Sequence, residues 1–345
     1  MATDVLSAKW LISEESFDEE QHRIQKLKDG NYLIEGCAGS GKTVLALTKA
    51  YEIKEAELGT YLVVIFTHTL KDFIKDGITN LGLDEDRICN YDQLEKRGYT
   101  SADYIIVDEV QDFEDVRIQH LKEMADKNFI FFGDDAQQLY SDRTNKTNLK
   151  RIANLTGIAA NNHKKLSKNY RLPRPIAEFA VQVAKDSNPN IIGQCVKSSG
   201  KKPIILKCKG FEDELDYIRK TIENNGLLNV GILVKDNDEI QNVIDYYDKV
   251  KFNIQYKYYK KNGNSKNLID TLDFYDHTPK IITYHSSKGL QFDYVFLPAC
   301  NVAYSKYDFQ DSLYVAVTRT SEELYISYSE TLSPYIKKVS KNLYD

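Results

Sequence analysis

The sequence predicts an α/β protein of two domains, each with a parallel sheet covered by helices. The chain has 345 residues, which is room for two domains. Short apolar runs alternate with longer amphipathic stretches, the pattern of β-α-β units. Two prolines in the segment 169–175 break any helix and force an extended path. We therefore place a boundary near residue 172, between domains 1–172 and 173–345.

The elements of both domains follow from these runs. In the first half, four short apolar runs end in glycine or a polar residue and are predicted to be strands, at 32–35, 61–66, 104–107 and 129–132. A helix-like stretch, 42–58, follows the first of them. In the second half the predicted strands are 203–207, 230–234, 281–284, 294–297 and 324–327. The predicted helices there are 211–223, 238–250 and 312–320. We interpret the Lys- and Asn-rich stretch 256–267 as an exposed loop; the alternative is a basic, aromatic segment that stacks on bases.

Composition limits the class of function. Hydrophobic residues make up 42% and charged residues 28%, which is typical of folded globular proteins and excludes disorder and fibrous repeats. With 46 Lys and Arg against 51 Asp and Glu, the net charge of -5 excludes non-specific coating of nucleic acid, so any such contact must be local. No apolar run is long enough for a membrane span, and we expect no membrane contact and a cytoplasmic location. Five widely spaced cysteines indicate reduced thiols.

A glycine-rich segment follows the first predicted strand. Residues 36–43 read GCAGSGKT and fit the phosphate-loop pattern G-x-x-x-x-G-K-[ST]. In that pattern Lys42 bridges the β- and γ-phosphates and the hydroxyl of Thr43 holds Mg²⁺, so ATP and Mg²⁺ are the predicted ligands. The strand and helix context disfavours a plain glycine turn. The loop contacts predicted for the nucleotide are those of Gly36, Ala38, Gly39, Ser40 and Gly41.

An acidic pair ends another predicted strand. Residues 104–112 read YIIVDEVQD, an apolar run followed by two adjacent carboxylates. We predict that Asp108 holds the hydration shell of Mg²⁺ and that Glu109 accepts a proton from the attacking water. A solvated acidic turn would be the better interpretation if the phosphate loop were absent.

Further segments occur in a fixed order along the chain. They are FDEEQ at 17–21, FTHTL at 66–70, DEVQD at 108–112, GDDAQ at 133–137, LSKNYR at 166–171, TYHSSKGL at 283–290 and YVAVTR at 314–319. In this order they resemble the motifs of superfamily 1 helicases of the UvrD/Rep/PcrA type, over nearly the whole chain.

The resemblance implies two tandem RecA-like P-loop domains and a role for each matching residue. It implies that Gln137 senses the γ-phosphate and that Arg171 and Arg319 neutralise its charge in the transition state when the two domains close on ATP. The other nucleotide contacts that it implies are those of Gln21, Tyr170, Gly289 and Gln291. The nucleic-acid contacts that it implies are those of Thr67, His68, Tyr140 and His285.

The sequence departs from the family in four places. Asp142 stands where the family has a base-stacking tryptophan, Gln291 where it has an acidic residue, and Thr320 where it has alanine. The intervals 69–108 and 171–283, of 39 and 112 positions, are too short for the two accessory subdomains of the family. The resemblance therefore implies a reduced form that lacks most of the parts that grip a duplex.

We predict an ATP hydrolase that acts as a translocase or helicase on single-stranded DNA, which is favoured over RNA, with 3′→5′ movement implied by the resemblance. A protein partner could supply duplex handling or nuclease activity. The alternative is a nucleotide-gated switch subunit that controls a partner such as a nuclease, for example in antiviral defence. The missing subdomains, the lost tryptophan and the acidic balance favour that alternative.

Overall fold

The structure, a computed structural model, describes residues 14–135, 148–185, 190–262, 265–302 and 309–345. The chain divides into two compact units, Met1–Tyr170 (unit 1) and Arg171–Asp345 (unit 2). Each unit has helices around a sheet whose strands are all or mostly parallel, so the predicted fold class is confirmed. Across the described ranges, no helix combines the length and the apolar character that a membrane crossing requires.

Unit 1 is built on a six-stranded sheet. Its strands are β1 (Tyr32–Gly36), β2 (Tyr61–Ile65), β3 (Ile88–Asn90), β4 (Ala102–Val107), β5 (Ala125–Gly133) and β6 (His163–Leu166). They pair in the order β3-β2-β4-β5-β1-β6, and every pair is parallel. The helices are α1 (Glu19–Gln25), α2 (Lys42–Glu55), α3 (His68–Asn80), α4 (Tyr91–Leu94), α5 (Asp115–Glu123) and α6 (Leu149–Thr156).

Unit 2 is built on a seven-stranded sheet. Its strands are β7 (Ile204–Lys207), β8 (Val230–Val234), β9 (Gln255–Asn262), β10 (Ser265–Asp270), β11 (Lys280–Thr283), β12 (Phe292–Leu297) and β13 (Thr320–Tyr328). Their order is β10-β9-β11-β8-β12-β13-β7, with only the β9–β10 pair antiparallel. The helices are α7 (Arg174–Val183), α8 (Asn190–Gly193), α9 (Phe211–Asn225), α10 (Asn237–Lys249), α11 (Gln310–Val317) and α12 (Pro334–Lys337).

The stretch 256–267, which we expected to be an exposed loop, forms most of a β-hairpin with strands β9 and β10. The loop interpretation is wrong, because residues 257–262 pair in antiparallel register with residues 265–270. Tyr258 is 5% exposed and belongs to the core of unit 2, and Tyr256 packs against the same core. The high content of lysine and asparagine made the stretch resemble an exposed loop in the sequence.

Each unit has its own apolar core, which sets the position of the strand ends. In unit 1, fully buried residues of the central strands pack against α5; they include Val64, Ile105, Val107 and Phe131. In unit 2, strands β8 and β11 pack against α9 and α10. Strands buried on both faces need nearly continuous apolar runs, which is why the sequence predicted them well. The two short strands β3 and β6, of three and four residues, were not predicted.

Candidate nucleotide-binding site

The loop between β1 and α2 has a backbone that suits phosphate binding. Gly39 and Gly41 have φ values of 73° and 89°, in the left-handed region that glycine enters without a steric penalty. A Cβ atom on Gly41 would lie 2.8 Å from Nε2 of Gln21, so a larger residue would displace the end of that side chain and would also be strained by the positive φ. Helix α2 begins at Lys42, so its free N–H groups and the positive end of its dipole lie at this loop.

The structure brings the predicted lysine, hydroxyl and carboxylate together. The Lys42 ammonium donates hydrogen bonds to the carbonyl oxygens of Gly36 and Cys37, at 2.8 Å and 3.2 Å. Oγ1 of Thr43 donates to Oδ2 of Asp108 at 2.6 Å, across 65 positions of sequence. Lys42 is 6% exposed and Asp108 is fully buried, so these charges lie in a medium where they interact strongly.

Two features of this loop fit a bound metal–nucleotide. Burial, and then the neighbouring Glu109, raise the pKa of Asp108 to about 6, a shift that a bound cation would oppose. The hydroxyl oxygen of Ser40 is buried and has no hydrogen-bond partner among the described residues. A divalent cation held by Thr43 and Asp108 would stabilise the charged form of the Asp108 carboxylate. A phosphate oxygen would accept a hydrogen bond from the Ser40 hydroxyl.

Glu109 is held by a residue that the sequence analysis did not single out. Its φ of 56° is in the left-handed region, at a cost of about 1–2 kcal/mol for a residue other than glycine. Gln111, 1% exposed, donates from Nε2 to Oε2 of Glu109 at 2.6 Å and accepts at Oε1 from the N–H of Asp134 at 3.0 Å. Gln111 thus joins the loops after β4 and β5; its place in the DEVQD segment was the available signal. Gln137 lies outside the described residues.

The two residues predicted to contact adenine lie beside the phosphate loop. Gln21 is 2% exposed, and its side chain donates to the carbonyl oxygen of Ser40 at 3.1 Å and accepts from the N–H of Asp18 at 3.1 Å. The N–H of Tyr170 donates to the carbonyl oxygen of Gly39 at 3.0 Å, and its hydroxyl donates to the carboxylate of Asp18. Burial first, and then this hydrogen bond, raise the pKa of Tyr170 above its usual range. Asp18, which we did not predict, therefore connects both residues.

Four predicted residues of unit 2 occur near the amino ends of two paired strands. Gln291 directly precedes β12, and Arg319 directly precedes β13. Nε of Arg171 donates to Oε1 of Gln291 at 3.2 Å. Arg319 is 1% exposed, and its Nε donates to the carbonyl oxygen of Val315 at 2.9 Å. Gly289, with φ of 83°, makes the turn that leads into β12.

The predicted nucleic-acid residues are more scattered. Thr67 is 7% exposed and caps α3, because its hydroxyl accepts from the N–H of Leu70 at 3.2 Å. His68 is exposed at the first position of the same helix. His285 is half-buried, two positions after β11 ends. Tyr140 lies outside the described residues.

Comparison with protein families gives two matches along the chain. Residues 30–191 match the Schlafen group 3 DNA/RNA helicase domain. Residues 280–327, within unit 2, match the UvrD-like helicase C-terminal domain. Both halves of the chain resemble helicase domains. The predicted resemblance to superfamily 1 helicases is confirmed, and helicase-like domains indicate a nucleotide-dependent helicase or ATPase.

Solved structures similar to this chain include a domain of a possible DNA helicase and the PRRSV helicase. The C-terminal domain of a possible DNA helicase from Lactobacillus plantarum WCFS1 is 20% identical, with a TM-score of 0.38, over 51% of this chain and 96% of that one. The PRRSV helicase is 14% identical, with a TM-score of 0.47, over 87% of this chain and 52% of that one. This chain thus spans about half of the PRRSV helicase chain. A comparison with curated proteins gives no match.

Proposed function

We propose that this protein is an ATP-dependent translocase or helicase that acts on single-stranded DNA and moves 3′→5′. The observation that carries the proposal is the hydrogen-bonded site in which Thr43 meets Asp108 at 2.6 Å beside the buried ammonium of Lys42. The helicase-like matches support a nucleic-acid substrate. The direction and the preference for DNA rest on the resemblance to superfamily 1 helicases.

In this proposal the loop residues and Lys42 bind the phosphates of ATP, and Thr43 and Asp108 hold Mg²⁺. When bound, Mg²⁺ supplies part of the charge neutralisation on the transferred phosphoryl group. Glu109 accepts a proton from the attacking water, and Gln111 keeps the Glu109 carboxylate in place through its 2.6 Å hydrogen bond.

The remaining nucleotide contacts stay predictions from the resemblance. Gln21 and Tyr170 are assigned to adenine, with Asp18 holding the Tyr170 ring by its hydroxyl. Arg171 and Arg319 are assigned to the γ-phosphate, because phosphoryl transfer is catalysed mainly by positioning and by charge neutralisation.

The test combines ATP hydrolysis with strand displacement. Hydrolysis is measured alone, with oligo-dT and with oligo-rU, and displacement is measured on duplexes with 3′ or 5′ overhangs. We expect stimulation by oligo-dT and displacement from the 3′ overhang. Stimulation without displacement would indicate a translocase, and hydrolysis that neither strand changes would favour the switch subunit.

A pair of lysine variants ties hydrolysis to this site. Lys42→Ala is expected to lower turnover by about 10²–10³, the cost of losing one preorganised donor to a developing charge. The control is Lys54→Ala, which changes an exposed lysine of the same helix. Full activity in Lys42→Ala would mean that the site is assigned wrongly.

A further inference from the structure

Arg319 is buried in unit 2 and is held by the last turn of α11. Its side chain is 1% exposed. Nε donates to the carbonyl oxygen of Val315 at 2.9 Å, and Nη2 donates to Oγ1 of Thr318 at 3.0 Å. A guanidinium group is planar and carries its N–H groups in a fixed fork. Hydrogen bonds from two of its nitrogens therefore set the direction in which the rest of the group points.

Thr318 is itself fixed in place. It is fully buried and directly follows α11. Its hydroxyl donates to the carbonyl oxygen of Val315 at 2.8 Å, and the same hydroxyl oxygen accepts from Arg319. The Val315 carbonyl, the Thr318 hydroxyl and the Arg319 guanidinium thus form a closed set of three hydrogen bonds. The Thr318 hydroxyl cannot rotate without breaking one of them.

The need of a buried charge for hydrogen-bond partners accounts for only part of this arrangement. A buried guanidinium group requires acceptors, and the carbonyl oxygen of Val315 is one of them. Acceptors that could move would stabilise the charge in many orientations. Because the hydroxyl of Thr318 is locked by the bond that it donates, it stabilises only one orientation of Arg319.

The strand that follows Arg319 is fixed as well. Strand β13 begins at Thr320, and just beyond it two residues of β13 oppose the single residue Asp293 of β12, which makes a β-bulge. Oγ1 of Thr320 lies 2.9 Å from the carbonyl oxygen of Asp293. Oγ of Ser321 donates to Oδ1 of Asp293 at 2.9 Å. These buried hydroxyls hold the bulge, so the backbone at Arg319 keeps its position along β12.

The second predicted arginine is attached to the same pair of strands. The N–H of Phe292, the first residue of β12, donates to the carbonyl oxygen of Arg319 at 3.0 Å. Gln291 directly precedes Phe292, and its Oε1 accepts from Nε of Arg171 at 3.2 Å. The amino ends of β12 and β13 therefore hold both arginines within one hydrogen-bonded frame.

We propose that Thr318 and Gln291 are positioning residues for ATP hydrolysis, in which Thr318 orients the guanidinium of Arg319 and Gln291 orients that of Arg171. The proposal rests on the proposed function, which assigns both arginines to the γ-phosphate. It gives Gln291 a role through Arg171 in place of a contact with the nucleotide, and it gives Thr318 a role that the resemblance does not assign. Misplaced cations stabilise a developing charge poorly, so loss of either hydrogen bond lowers the rate of the chemical step.

The first experiment measures kcat and KM for ATP with the full chain, well below the thermal midpoint of every variant. Thr318→Val replaces the hydroxyl with a methyl group and is expected to lower kcat by about 10- to 100-fold, the effect of losing a hydrogen bond to a charged group. The KM should change little. Thr318→Ser keeps the hydroxyl and should retain most of the wild-type rate. The control is Thr156→Val, which removes a buried hydroxyl that donates to Ile152 at the end of α6.

A double variant separates positioning from a general structural role. Because Thr318 acts through Arg319, the variant that combines Thr318→Val with Arg319→Ala should be no slower than Arg319→Ala alone. A structural role would slow hydrolysis in both backgrounds. The affinity for ADP, which lacks the γ-phosphate, should equal that of the wild type in all of these variants.

Gln291 is tested by the separation of kcat from KM. Gln291→Ala is expected to lower kcat by about tenfold with little change in the KM for ATP. Gln291→Glu keeps an oxygen acceptor for Arg171 and should restore most of the rate. A direct contact of Gln291 with the nucleotide would instead raise KM and leave kcat unchanged. The control is Gln255→Ala, a half-buried glutamine of β9.

The outcomes separate this proposal from the proposed function. If the wild type hydrolyses ATP and Arg319→Ala is slow, but Thr318→Val and Gln291→Ala match the wild type, the positioning proposal is overturned and the proposed function stands. Equal losses in Thr318→Val and Thr318→Ser, or a further loss in the Arg319→Ala background, would overturn the role of Thr318. A rise in KM alone in Gln291→Ala would overturn the role of Gln291. A wild type that does not hydrolyse ATP would overturn both proposals.

Discussion

The two units share one layered architecture but carry their candidate residues at different ends of the strands. In unit 1, the phosphate loop follows β1, the carboxylates Asp108 and Glu109 follow β4, and Tyr170 follows β6. In unit 2, Gln291 and Arg319 precede β12 and β13. The carboxyl end of a parallel strand that runs into a helix offers N–H groups to an anion, and the other end does not.

The buried cations Lys42 of unit 1 and Arg319 of unit 2 also differ in the groups to which they donate hydrogen bonds. Lys42 is bonded to carbonyl oxygens of a glycine-rich loop, contacts that a phosphate oxygen can replace. Arg319 is bonded to a carbonyl oxygen of the helix that precedes it, so its position depends on that helix. In the proposed function, the phosphate loop belongs to unit 1 and the two arginines assigned to the γ-phosphate belong to unit 2, although both units have the same fold class.

The largest effect is expected from the arginines of unit 2. Arg319→Ala and Arg171→Ala should each lower ATP turnover by about 10³–10⁵, the range for a cation that stabilises phosphoryl transfer. Single-turnover hydrolysis measures this loss. A thermal melt of each variant, together with Arg319→Lys, which keeps the positive charge, separates an effect on chemistry from an effect on folding. The control is Arg219→Ala, which removes a surface arginine paired with Asp216 and Glu223. Turnover within tenfold of wild type would mean that unit 2 supplies no such cation.

Glu109→Gln tests the carboxyl end of β4 in unit 1. Loss of the general base should lower hydrolysis by about 10²–10⁴, while ATP still binds because the phosphate loop is unchanged. Rapid-quench hydrolysis and a separate measurement of ATP binding distinguish the two steps. If ATP binding fell as much as hydrolysis, Glu109 would support the phosphate loop and would not be the general base.

Gln111→Ala tests whether the base needs its hydrogen bond. Removing a bond to a charged group should lower the rate of hydrolysis by about 10- to 100-fold, and the KM for ATP should change little. The double variant with Glu109→Gln should be no slower than Glu109→Gln alone, because Gln111 acts through Glu109. Additive losses would contradict that coupling.

The pH dependence follows from the buried carboxylate of unit 1. Burial raises the pKa of Asp108 to about 6, so below that pH the protonated group cannot hold the metal. The kcat/KM for ATP should therefore fall by about tenfold per pH unit below about 6. The fall in kcat should begin at lower pH, since a bound cation favours the charged form. A flat kcat/KM profile down to pH 5 would contradict this assignment.

The smallest effect is expected at Asp18. Asp18→Asn keeps the N-cap of α1 but weakens the hydrogen bond that holds Tyr170. The KM for ATP should rise by about fivefold, as expected for a hydrogen bond worth about 1 kcal/mol. Glu19→Gln, at the exposed neighbouring position, is the control. An unchanged KM for ATP would mean that Asp18 does not position Tyr170 for adenine.

Prediction from the sequence was accurate where the pattern was local and apolar. The strand predicted at 230–234 is β8 with the same bounds, and the helix predicted from residue 42 is α2. It failed at the β9–β10 hairpin, where the high content of lysine and asparagine resembles a loop. It also gave no role to Gln111 or Asp18, because their significance lies in hydrogen bonds to other segments.

The sequence by itself determined the phosphate-loop pattern and its backbone conformation, because that pattern is eight contiguous residues whose glycines set the backbone locally. Tertiary structure decided which distant groups meet: Asp108 with Thr43 across 65 positions, and Arg171 with Gln291 across 120. It also decided that the basic stretch is a two-stranded antiparallel ribbon. Strand order and pairing bring such residues together, and no local period of the sequence encodes them.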